Sequence, residues 1–514
     1  MATSDANTTN IAYCEETTYG VLPGSPDFKT LRLTGETLAH AKETIQSQEI
    51  RSDRQVPDLV KVGSSATGNV NFELSFAEYL PFMEAVLCGT FDDITLTDIN
   101  GSIDKDASTF TATSSGAMSS LPVGGYVKLA SATNANNGIK RVLSNNGTVV
   151  TFEPGSFSAN TTGQNATWTT SDLRNGIERR SYTIEREVIN SEGTKLYQSY
   201  PGCYVGMMDM RVESKQIVTG SFGVMGKFGT AASATLNTNL AAAATGTLTL
   251  VANPSDGDTV TIGTKTYTLQ DTLTNTNGNV KIGATASDTL DNLIAAINLA
   301  AGAGTTYAAA TTVHPTVTAA AGAGDTMTVT AKSTGTAGNA IATTETFTNS
   351  GNVFGAATLA GGVNPVYLAS EDGDVLNGTS NLGTIQGSAG TFQDKMRVLA
   401  FSINNNLRGK DALGEEGNFE IGLGTFSVTG NISAYFADNT LYQALVNHDD
   451  NALAFTLQDS DGNVLGFTFP RIKWGAGNPN ATAINTDIML DIDFTAIRDT
   501  VSGVTMIINK FTAA

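Results

Sequence analysis

Gly68-Asn69-Val70-Asn71-Phe72-Glu73-Leu74 decides how the chain is read. Apolar Val70, Phe72 and Leu74 alternate with polar Asn69, Asn71 and Glu73, the period of a strand with one buried face. The stretch passes into Phe76-Ala77-Glu78-Tyr79-Leu80-Pro81-Phe82-Met83-Glu84-Ala85-Val86-Leu87, whose apolar spacing is helical. The same grammar returns at Gly430-Asn431-Ile432-Ser433-Ala434-Tyr435-Phe436, followed by Asp438-Asn439-Thr440-Leu441-Tyr442-Gln443-Ala444-Leu445-Val446. A Gly-Asn start, a period-two strand and a short amphipathic helix, met twice in that order, imply an internal duplication.

Working outward, Leu31-Arg32-Leu33 reads as a strand after the turn Leu22-Pro23-Gly24-Ser25-Pro26. His40 to Gly63 is polar and charged in both signs, with no sustained core-facing period, and reads as an extended arm or long hairpin. The plainer reading of such a stretch is a solvated loop. Its candidate inter-subunit residues are Glu49, Arg51, Asp53, Arg54, Asp58 and Lys61. The second copy has a counterpart, Asn404 to Gly417, carrying Arg408, Lys410, Asp411, Glu415 and Glu416. Downstream of the first helix, Arg180 to Val188, Tyr200 to Val205, Met208 to Val212 and Ile217 to Val224 read as strands. Leu453 to Leu457, Val464 to Phe469 and Ile488 to Phe494 answer them, and an aromatic strand closes on proline in both halves, at Tyr200-Pro201 and Phe469-Pro470.

Two segments interrupt this order. Residues 93–170 carry hairpin-type alternations between Asn/Gly turns and read as a small antiparallel β insertion. Residues 241–363 fall in a span from Arg211 to Arg397 that has neither arginine nor tryptophan between its ends. They read as an accessory α+β module with one helix, N-capped by Asp288, acidic at Asp291 in its first turn and stopped at Gly302. The expected fold is therefore mainly β. It comprises a first unit (1–92 and 171–240, discontinuous), the insertion (93–170), the module (241–363) and a second unit (364–514).

The chain has 514 residues and a formal charge of -20, from 29 basic and 49 acidic side chains. A tight grip on nucleic acid through phosphates needs the opposite sign. Cys14, Cys88 and Cys203 are widely spaced and odd in number, so they read as small buried hydrophobes in a reducing compartment. The N-terminus shows no basic, apolar signal pattern, and no apolar run is long enough to span a bilayer.

Nothing orders a catalytic set. His40, His314 and His448 lie in unrelated contexts and none has a histidine at i+4. Asp459-Ser460-Asp461-Gly462-Asn463 resembles the start of a calcium loop, but the twelfth position is Pro470, and an Asp-Gly hairpin turn explains it. Ser370 to Asp374 reads as a turn. The expectation is no enzyme, no cofactor and no metal.

Three runs carry a resemblance: Tyr13-Cys14-Glu15-Glu16-Thr17-Thr18-Tyr19-Gly20, the arm core Ile50-Arg51-Ser52-Asp53-Arg54, and the Gly68 strand leading to Cys88. Ser181-Tyr182-Thr183-Ile184-Glu185-Arg186, Tyr200-Pro201-Gly202-Cys203 and Val218-Thr219-Gly220-Ser221-Phe222 extend it. Together they resemble tail tube proteins of long-tailed bacteriophages over roughly residues 10–92 and 175–230, and more loosely over the second copy. The resemblance implies a β-sandwich or half-barrel with a flanking helix, six units closing into a ring, rings stacking, and DNA passing through the bore. The partners it implies are further copies of the chain, the tape measure protein, the tail terminator and the tail tip. It also implies a virion location after assembly in the host cytoplasm. With two units per chain, three chains would complete a ring; six chains, with the second half outside, is the alternative. A surface adhesin, its 241–363 module binding carbohydrate, is the competing reading from another class.

Overall fold

The computed structural model describes all residues except 1–2, 24–25, 132–133, 232–241, 364–366, 388–389, 392–394, 437–439, 481–485 and 514. Gly24 and Ser25 of the expected turn, Asp438 and Asn439 at the second helix start, and the expected boundaries at 240/241 and 364 lie outside the described residues. In chain order come β1 (Ser4–Glu15), β2 (Lys29–Leu31), β3 (Gly35–Glu36), β4 (Ala39–Gln46), β5 (Leu59–Glu73) and helix α1 (Leu80–Leu87). Next are β6 (Asp92–Asp104), β7 (Thr109–Ala112), β8 (Tyr126–Ser131), β9 (Gly138–Asn145), β10 (Val149–Phe152) and β11 (Thr161–Arg174). Then follow β12 (Tyr182–Asn190), β13 (Lys195–Glu213) and β14 (Thr219–Gly226). The next group is β15 (Ala243–Thr249), β16 (Thr259–Ile262), β17 (Lys265–Gln270), β18 (Asn279–Lys281), α2 (Ala286–Asn298), β19 (Val317–Ala321), β20 (Thr326–Thr334), β21 (Thr343–Thr346) and β22 (Val353–Phe354). The remaining elements up to the third helix are β23 (Gln386–Gly387), β24 (Gly390–Thr391), β25 (Met396–Asn404), β26 (Arg408–Lys410), β27 (Glu420–Gly422), β28 (Ser427–Tyr435) and α3 (Thr440–Asn447). The chain closes with β29 (Asp450–Gln458), β30 (Val464–Asn480), β31 (Met489–Ala496) and β32 (Ile507–Phe511).

One pairing scheme occurs twice. On β12 and β13, Ile184 stands opposite Tyr200, Glu187 opposite Tyr197 and Ile189 opposite Lys195. On β29 and β30, Leu453 stands opposite Phe469, Thr456 opposite Gly466 and Gln458 opposite Val464, each partner 269 positions later (184 to 453, 200 to 469). The register shifts at the same place in both, between Tyr182 and Ile184 and between Asn451 and Leu453. Pro201 and Pro470 sit in those two irregularities, where a missing N–H costs no ladder bond. β14 then joins β13 to β5, as β31 joins β30 to β28. The helices end alike too. Cys88 and His448 take left-handed φ of 52° and 57°, and the paired bonds Cys88 N to Ala85 O and Gly89 N to Glu84 O recur as His448 N to Leu445 O and Asp449 N to Ala444 O. That is the Schellman closure of a helix end.

The two sets merge into one antiparallel sheet, β5-β14-β13-β25-β28-β31-β30, through the pairing of β13 with β25 from Met207 opposite Asn404 to Glu213 opposite Val398. One face packs on a continuous apolar core. Phe72 stacks on Phe222 at 4.7 Å in the first half, and Phe401 meets Phe469 edge-on at 5.2 Å in the second. β6-β7-β10-β9-β8-β11 close on themselves as a small barrel around Trp168, Phe110 and Phe152. The last strand, β32, lies between β11 and β30 and so links this barrel to the second half. Strands β15 to β22 form two four-stranded sheets that share a separate core with α2.

Four details differ from the sequence reading. Tyr200–Val205 and Met208–Val212 belong to one strand, β13, because its partner changes from β12 to β14 after Cys203 and β25 joins beyond a bulge at Gly206, all without a turn. Helix α1 begins at Leu80, not near Phe76: Pro81 occupies its first turn, and Glu78 turns inward to accept Arg32 N at 2.8 Å and Glu371 N at 2.7 Å. Helix α2 is capped by Thr285, not Asp288. Asp288 is the third-position partner of a reciprocal capping box, the two side chains each accepting from the other's backbone N–H. It ends at Leu299, which adopts φ 54°, before Gly302 is reached.

Candidate functional site

The other face of the long sheet is open. Alternation puts Asn69, Asn71 and Glu73 of β5, Asp209, Arg211 and Glu213 of β13, and Thr219 and Ser221 of β14 on it. Ala400 and Ser402 of β25, Thr429 and Asn431 of β28, and Asp491, Asp493 and Thr495 of β31 continue it. The sheet curls, making a trough of about 840 Å³ lined from Asn71 across to Asp493. Small polar side chains and carboxylates dominate. Arg211 is held by its neighbour, donating from Nε and Nη2 to Glu213 at 3.0 and 2.8 Å. Such a face offers a passing polyanion little to hold.

The first arm is a hairpin of β4 with the start of β5. Its tip holds Glu49, Arg51, Asp53, Arg54 and Asp58, all exposed. Arg51 and Asp53 pair with each other at 2.8 Å, and this guanidinium holds the Asp53 carboxyl below its ordinary range. The second arm folds back instead of projecting. Glu416 pairs with Lys61 and accepts Ser64 N through its backbone oxygen, Glu415 lies 3.7 Å from Lys227, and Lys410 pairs with Glu420 at 2.6 Å. Arg408 donates to Leu423 O, just past its own arm, and Asp411 is exposed. Lys61 and Glu416 therefore meet within the chain, apart from the tip charges. Sequence reading passed over a second feature of the first arm. Ile45, Ile50, Val56, Leu59, Val60 and Val62 are all exposed, an apolar surface on a two-stranded hairpin. The alternation Val60-Lys61-Val62 opposite Ile45 was the available signal.

Three of the runs that carried the resemblance, 13–20, 181–186 and 200–203, converge on one buried carboxylate. Glu16 accepts from Gly20 N, Ser181 Oγ and Thr183 Oγ1 at 2.7 Å each, and from Gly202 N at 2.8 Å. It thereby fastens the Tyr-Gly turn, β12 and the Pro-Gly turn of β13 to one another. The family model for the phage tail tube protein matches residues 6–496. The chain belongs to the phage tail tube protein family. It is a structural component of a phage tail. No individually curated protein matches the chain.

Among the described residues, no group of three or more His, Cys, Asp and Glu side chains could hold a metal ion. The calcium-like run is a turn: Asp459 accepts from Asn463 N at 2.8 Å and from its side chain at 2.7 Å. The three cysteines are buried, and burial pushes each thiol up from its usual range. Among the described residues no helix is long and apolar enough to cross a membrane.

Proposed function

We propose that three chains close into a ring of six tube units, that rings stack into a tail tube, and that DNA passes over the open sheet face during ejection. In this reading residues 1–92 with 171–240 are one unit and 364–514 the other, 93–170 is an insertion, and 241–363 decorates the outside. One observation carries the proposal: two copies of the same pairing scheme are already joined edge to edge, β13 to β25. That junction brings together unlike edges, and a contact between unlike edges generates rings when its rotation closes. The acidic, small-residue trough suits a bore through which phosphates slide. The arm tip, with its charges and aliphatic side chains, suits contact with the next ring, where charge sets register more than affinity. The tape measure protein, terminator and tip proteins are the further partners of such a tube, assembled in the host cytoplasm.

Negative-stain electron microscopy with rotational averaging tests this. The expected image is a hollow ring with a six-lobed wall and three peripheral lobes. Six peripheral lobes would mean six chains per ring, and scattered monomers at high concentration would remove the proposal altogether.

A further inference from the structure

The junction between the halves also fixes how one chain should meet the next. In the first half, the edge of β13 beyond Gly206 is covered by the second half. Asn405 donates from its backbone to Gly206 O at 2.8 Å and from Nδ2 to Val86 O at 2.7 Å, and Leu407 occupies the space beside Gly206. The counterparts in the second half are Gly475 (206 to 475) and, by the helix spacing, Val446 (86 to 446). Both are bare: Val86 is 0% exposed and Val446 66%, and Gly475 and Ala476 are exposed. Past Lys473, β30 pairs with β31 alone among the described strands. At the opposite end of the sheet, β4 pairs with β5 alone among the described strands, and Ala39 and Ala41 are exposed on it. The stretch 33–41, β3 with the start of β4, is the first-half counterpart of β25. His40 lies opposite Ala66 on β5, in one register with Glu36 opposite Val70, whereas Leu399 lies opposite Ile432 on β28.

We infer that the bare edge of β30 in one chain takes β4 of a second copy in the register of the internal junction. Met207 opposite Asn404 then translates to Ala476 opposite Ala41, and Met208 opposite Ile403 to Gly477 opposite His40. The inference rests on the ring reading and specifies its partner edge, polarity and register. Paired in this way, the bare stretch of β30 from Gly475 to Gly477 and the start of β4 are covered, which removes the aggregation hazard each presents alone. Ile45, next along β4, would be carried toward Val446.

Cysteine cross-linking of the full-length protein tests the register. Directly opposed residues bring Cα atoms within disulfide range, whereas a two-residue offset does not. The native thiols are buried and do not compete. In assembled rings, Ala41→Cys with Ala476→Cys should oxidise to a covalent trimer, at least tenfold more than Ala39→Cys or Glu43→Cys with Ala476→Cys. Rings should be imaged before oxidation, so that a misfolded variant is recognised; mixing the two single-cysteine chains then supplies a second route to the same bond. Rings without the cross-link, or equal cross-linking of the offset pairs, would overturn the register while leaving the ring reading intact. Absence of rings from the wild-type protein would remove both.

Discussion

Gly68 and Gly430 hold equivalent places inside β5 and β28 because nothing larger fits there. A Cβ on Gly68 would stand 2.6 Å from the backbone of Leu38, and one on Gly430 would collide with the Phe494 ring and Ala400 O. Gly68→Ala and Gly430→Ala should each cost about 1–3 kcal/mol through overpacking, seen as a lower denaturation midpoint with an unchanged slope. Asp450 shows a second residue-level effect. Hydrogen bonds from Arg471 and then Lys473 lower its carboxyl from an ordinary 3.8 to about 2. Because the folded value lies below the unfolded one, the contribution is present above about pH 4 and drains as pH falls through 2. The pair is solvent-exposed, so the effect on stability is small. A carboxyl-carbon titration should place the Asp450 midpoint near 2, and a midpoint near 4 would refute the pairing. These residues also show why the second copy departs from the first. Where Gly202 donates to Glu16, the second half has Arg471 and Ile472, and Arg471 turns to Asp450.

At the level of elements, the sequence disclosed what depends on local period. The Gly-Asn strands and the short helices fall near where alternation and spacing put them, whereas β13 and β30 run on through Pro201 and Pro470 and do not close there. It did not disclose what depends on partners. β13 looked like two strands because Gly206 and its bulge interrupt the alternation, while the ladder simply changes neighbours. The closure of β6 to β11 into a barrel requires β6 to pair with β11 across some sixty residues, and no local pattern records that. The second arm's retreat onto Lys61 and Ser64 depends on where the first half places those groups. The arms now make separate predictions. Deleting the first arm's tip, residues 49–56, should leave single rings intact and abolish their stacking into tubes, read by counting tubes and rings in micrographs. Tubes of normal length from the deleted protein would show that the tip does not join rings.

For the whole molecule, the repeated pairing scheme is the organising observation. A pairing scheme repeated at a constant spacing of 269 residues along β12–β13 and β29–β30, and joined head to tail by β13 and β25, leaves one unlike edge at each end of the sheet. The sequence showed the repetition but not the junction, since strand edges leave no mark in a period-two pattern. The central claim is that three such chains complete one ring, and the mass of a single ring tests it most directly. With a chain of 53.4 kDa, native mass spectrometry of isolated rings should give about 160 kDa, three times the chain mass. A ring of about 320 kDa, six times the chain mass, would contradict it.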